Sequence, residues 1–96
     1  MHDKKIDAII QDSTITDCND CFETGKNKTY IVGDITNSPA NGSWYIQSLC
    51  NDVTWSGNKY ITQIATNAGN SNTNSLYIRH AYLNNGNRVW TSWKSL

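Results

Sequence analysis

Cys18-x-x-Cys21 is the most chemically suggestive spacing in the sequence. With Cys50, His2 and His80 it can be drawn as a zinc site. Structural zinc usually takes two paired ligand modules, and only one pair is present, so no metal ligand is assigned. The carboxylates are Asp3, Asp7, Asp12, Asp17, Asp20, Glu23, Asp34 and Asp52. A glycosidase needs two carboxylates flanking one bond; Asp34 with Asp52 is such a pair, but nothing around it supports that role. His80 has no nucleophile motif beside it and reads as a structural histidine between apolar strand positions. No catalytic residue and no cofactor are expected.

The aromatic and amide side chains offer binding chemistry instead. The chain has four Trp, five Tyr and one Phe, while only 17% of its residues are charged. Its Asn-rich stretches run from Asn67 to Asn74 and from Asn84 to Asn87. Trp55 lies between the turn formers Asn51-Asp52 and Ser56-Gly57, where an indole is placed to stack on the C–H face of a sugar. The alternative is that it folds back over the core. Tyr82, with Asn85 and Asn87 in the following turn, is a second candidate for ligand contact. Gln63 and Arg79 stand mid-strand among apolar neighbours. A buried guanidinium needs acceptors, and the Gln63 carbonyl on a neighbouring strand is a candidate. Such a pair is expected to fix strand register or a trimer axis before it touches a receptor. Trp90 and Trp93 are three apart, so in a regular strand they face opposite sides; one fills the core and the other caps it or meets a neighbouring subunit.

The elements that must position these groups are strands. Thr29 to Val32, Ser43 to Cys50, Lys59 to Thr66, Leu76 to Leu83 and Val89 to Lys94 are runs rich in β-formers, each bounded by turn residues. Asn37 to Gly42 holds the only proline, and Asn85-Gly86 is a hairpin signal. This is an all-β, antiparallel layout, a small sheet or sandwich. Ahead of it, Ile6, Ile9 and Ile10 recur at i, i+3 and i+4, predicting a short helix over Lys4 to Gln11. At that length it is marginal alone. It either packs on the same segment of neighbouring chains, or it frays or packs on its own domain. Residues 1–16 are thus read as a stalk or linker and 17–96 as the domain.

Composition narrows the partners. Eight basic and eight acidic residues give a formal net charge of zero, so the electrostatic footprint of a nucleic-acid binder is missing. The longest apolar run is far below the roughly 18 residues of a membrane span. Met1 is followed by Asp3, Lys4 and Lys5 without a long apolar stretch, so no signal peptide is expected. A domain of this size has a small core that oligomerisation would supplement.

The order of the C-terminal motifs resembles the knob domain of pyocin-type and phage tail fibres. The residues are Tyr60-Ile61-Thr62-Gln63-Ile64-Ala65-Thr66, then Leu76-Tyr77-Ile78-Arg79, then Asn85-Gly86 and Val89-Trp90-Thr91-Ser92-Trp93-Lys94. In that family a strand with a Gln precedes a strand with an Arg, and a short hairpin leads to a terminal Trp-x-x-Trp. Upstream, Asp17-Cys18-Asn19-Asp20-Cys21, Thr24-Gly25, Tyr30-Ile31-Val32, Pro39 and Gly42-Ser43-Trp44-Tyr45-Ile46 are similar to its opening. Cys18 and Cys21 stand where the family carries Leu, and Asn27-Lys28 lengthen the approach to the Tyr30 strand. The resemblance covers Asp17 to Leu96. It implies a homotrimeric, non-enzymatic β knob on a virion tail fibre, made in the cytoplasm and released by lysis, whose partner is a bacterial cell-surface glycan or other surface receptor. It also implies that both cysteines are packed thiols, since free Cys behaves as a small hydrophobe and cytoplasmic synthesis disfavours a disulfide. The competing reading is a monomeric carbohydrate-binding module of a secreted bacterial protein.

Overall fold

Alternation of apolar and polar residues dictates a half-buried sheet, and a computed structural model describes one over residues 8–51, 60–69, 75–84 and 86–96. Its strands are β1 (Asn27–Val32), β2 (Trp44–Cys50), β3 (Ile61–Asn67), β4 (Leu76–Asn84), β5 (Asn87–Trp90) and β6 (Lys94–Ser95). They form a single antiparallel meander in the order β1-β2-β3-β4-β5, with β6 returning to pair with β4. One short 3-10 turn, Cys18–Asp20, precedes the sheet.

The register aligns cross-strand rows on one face. Tyr30, Ile46, Ala65 and Tyr77 form one row, and Cys50, Ile61, Ala81 and Trp90 another. Between them lies a polar row, Ser48, Gln63 and Arg79. That row divides the core. On one side Tyr30, Val32, Trp44, Ile46 and Ala65 cluster with Cys18 and Cys21; on the other, Cys50, Ile61 and Ala81 pack with Phe22 and Trp90. The opposite face carries Ile31, Tyr45, Leu49, Ile64, Leu76 and Ile78, and none of these is fully buried.

The core face is covered by irregular chain, not by a second sheet. A parallel bridge between Asp17 and Thr36 ties the 16–18 segment to the loop after β1. Two indoles pin that loop: Trp44 Nε1 donates to the Ala40 carbonyl at 3.0 Å and Trp93 Nε1 to the Asn37 carbonyl at 2.8 Å. Asn37 accepts the left-handed φ of 62° that the turn requires.

Two expectations need correction. Over residues 8–11 the chain is extended, not helical. Ile10 donates to the Thr29 carbonyl and accepts from Ile31 N–H, both at 2.9 Å, in a parallel bridge opposite Tyr30. The outer edge of β1 offers backbone groups that a one-turn helix would leave orphaned. Ile10 packs on the core while Ile9 is half exposed, so they share no face; Ile6 lies outside the described residues. Nor is Val89 to Lys94 one strand. Trp90 pairs with Ala81 and Lys94 with Ile78, so four steps on one strand match three on the other. The additional residue is a β-bulge, which turns the following side chains over. Thr91 anchors it: its N–H donates to the His80 carbonyl at 2.8 Å, and its hydroxyl accepts from His80 N–H at 2.9 Å.

Ile46 is fully buried at the centre of the larger cluster. Ile46→Val should cost about 0.5–1.5 kcal/mol and Ile46→Ala about 2–5 kcal/mol, measured by urea unfolding; near-neutral values for both would contradict this core.

Candidate functional site

Gln63 stands at the centre of the buried polar row. Its side-chain amide donates to the Cys18 carbonyl at 2.9 Å, the Cys21 carbonyl at 3.1 Å and Ser48 Oγ at 3.1 Å. Ser48 Oγ in turn donates to the Cys21 carbonyl. On the other side, Gln63 Oε1 accepts from Arg79 Nε at 2.8 Å. The sheet therefore binds the 3-10 turn through backbone carbonyls, the groups a buried loop must satisfy.

Arg79 is 4% exposed. Its guanidinium carbon lies 3.9 Å from the Trp90 ring centroid and 4.6 Å from that of Trp93. Both indoles thus attend one cation, not opposite faces of a strand; the bulge places Trp93 there. Burial pulls the guanidinium below its ordinary value, opposed by the neighbouring Cys18, Asp17 and Cys21. Among the described residues Arg79 Nη2 has no hydrogen-bond partner.

Cys18, Cys21 and Cys50 are free and buried. Cys18 and Cys21 share a hydrogen bond, which pushes the Cys21 thiol up, with burial adding to the rise. The same bond lowers the Cys18 thiol. Cys50 belongs to the other cluster. His80 lies on the open face with its Nδ1 3.2 Å from Thr62 Oγ1, and His2 is outside the described residues. Among the described residues no three His, Cys, Asp or Glu side chains gather as a metal site.

The ligand candidates divide differently. Trp55 and Asn85 lie outside the described residues. Tyr82 is 40% exposed on the open face, and Asn87 is exposed where β5 begins, opposite Asn84. The chain leaves β2 after Cys50 and enters β3 at Ile61, which pairs with Cys50, at the same end of the sheet as the β4–β5 turn.

A cleft missed by sequence reasoning lies at the other end. Residues 11–16 and 31–35 enclose about 260 Å³, with Gln11, Asp12, Ser13 and Thr16 beside Ile31 and Ile35. Asp12 Oδ1 accepts from Thr14 N–H at 2.9 Å and Thr14 Oγ1 at 2.6 Å, an Asx turn. These bonds, the hydroxyl's first, hold its carboxyl below the usual carboxylate value. The Asp12-Ser13-Thr14 run was the available signal, but only the Ile10–Tyr30 bridge brings it against β1.

Comparison with family models, curated proteins and solved structures finds no match to this chain.

Gln63→Leu removes the acceptor of Arg79 Nε and one donor from each of the Cys18 and Cys21 carbonyls and should cost about 3 kcal/mol or more, while Arg79→Met should cost about 1–3 kcal/mol. Urea unfolding of the double variant should show a loss smaller than the sum by at least about 0.5 kcal/mol; strict additivity would show that the two side chains do not act together. The three thiols should react with a chromogenic disulfide reagent far more slowly in the folded protein than in urea. Equal rates would contradict their burial.

Proposed function

We propose that this chain is the receptor-binding knob of a bacteriophage or tail-like bacteriocin fibre, acting as a homotrimer on a bacterial cell-surface glycan and catalysing no reaction. One observation carries the reading. Gln63, Arg79, Trp90 and Trp93, which carry the resemblance to tail-fibre knobs, form one contact network. The series Gln, Arg, Trp-x-x-Trp has a physical reason to occur together: the glutamine fixes the loop cover and orients the arginine, and the indoles stack on the cation.

The open sheet face supports assembly. Ile64 and Ile78 are cross-strand partners at its centre, with Tyr45 and Leu76 nearby. The exposed face of an antiparallel sheet is ordinarily polar, and an apolar patch marks a contact surface. Neighbouring copies are the proposed cover.

Light scattering at high micromolar concentration should give three times the 10.8 kDa chain mass. Ile64→Glu should yield a monomer with unchanged near-ultraviolet circular dichroism. The wild-type protein should bind bacterial cells or purified surface polysaccharide. A strict wild-type monomer that still binds glycan would replace this reading with the carbohydrate-binding module; a protein that binds neither cells nor glycan would end both.

A further inference from the structure

The 260 Å³ cleft sets polar side chains against an aliphatic side. Asp12 offers a carboxylate whose Oδ1 is fixed by Thr14, leaving Oδ2 to accept from the ligand. Ser13 and Thr16 supply hydroxyls and Gln11 an amide, while Ile31 and Ile35 provide aliphatic surface. No lysine or arginine lines it, so an anionic group would meet Asp12 uncompensated. Its volume is below the roughly 300–1,000 Å³ typical of pockets for drug-sized ligands, which suits one ring and not an extended chain.

Its place in the fold is the second observation. Ile10 runs parallel to β1, so the residues just before it lie toward the Asn27 end of that strand. The cleft lies at the Val32–Gly33 end. The described chain therefore enters the domain at one end and the cleft lies at the other.

We infer that the cleft between residues 11–16 and 31–35 is the receptor subsite, taking a single neutral saccharide residue of a surface glycan, with Asp12 as the acceptor for its hydroxyls. This rests on the knob reading above, and it places recognition at the opposite end from the β4–β5 turn.

Gly33 supplies a clean test. It lines the cleft, its φ is not in the left-handed region, and a Cβ added there meets no atom within 4 Å. Gly33→Trp should therefore fill the cleft without displacing backbone, and Asp12→Asn should remove the charge at an exposed position. Both variants, Trp55→Ala and the wild type would be titrated on immobilised bacterial polysaccharides, some of neutral hexoses and some rich in uronic acids, with melting temperature as the folding control. The wild type should prefer the neutral polymers, and each cleft variant should lose roughly tenfold or more in affinity while melting as wild type. If both cleft variants bind normally, or Trp55→Ala alone abolishes binding, the subsite is overturned and the knob reading stands. A wild type that binds no polysaccharide and no cells would remove both.

Discussion

The side-chain amide of Gln63 is the constraint around which the rest is arranged. A sheet whose buried face carries Ser48, Gln63 and Arg79 in one row cannot be covered by an apolar layer, because each of these groups needs a partner. The cover is consequently a loop that presents carbonyls. The 3-10 turn at Cys18–Asp20 aims two of them at Gln63. Its start is fixed by Asp17, whose Oδ1 accepts from Asn19 N–H at 2.8 Å and from Asn37 Nδ2 at 2.9 Å. The same carboxylate thus holds the turn and the loop after β1. The two apolar clusters on either side are consequences of that polar row, as is the short reach of each.

Arg79 is held without a carboxylate partner among the described residues. Its charge is met by one amide oxygen and two indole faces. Desolvated cation–π contacts are worth about 2 kcal/mol or more, and the guanidinium's weak hydration makes such a site accessible to arginine and not to lysine. The arrangement explains why two tryptophans close to the C-terminal end of the sheet are both spent on one side chain.

The strands were legible because alternation and turn residues repeat over five segments, and because a β meander needs only neighbours in sequence to pair. Gln63 opposite Arg79 was legible for a related reason: polar groups mid-strand among apolar ones must find each other. Three features were not. The Ile6, Ile9, Ile10 spacing points to a helix, but over the described residues 8–11 the open edge of β1 captures Ile10 instead. The side chosen by Trp93 depends on a bulge, which leaves no mark in hydrophobic pattern. The cleft exists only because residues about twenty apart in sequence are bridged, and no local signal reports that pairing.

The bulge between Trp90 and Lys94 also gives the spacing of the two tryptophans its meaning. Three steps along a regular ladder from Trp90 would put Trp93 opposite Ile78, whereas the extra residue gives that position to Lys94. In such a ladder the indole would lie on the open face, the Asn37 carbonyl would lose its donor, and Arg79 would keep one ring of two. A Trp-x-Trp spacing would bring both rings to one face of a regular ladder, and the Trp-x-x-Trp spacing does so only with the bulge. The number of residues between the two rings thus decides which face the second one takes.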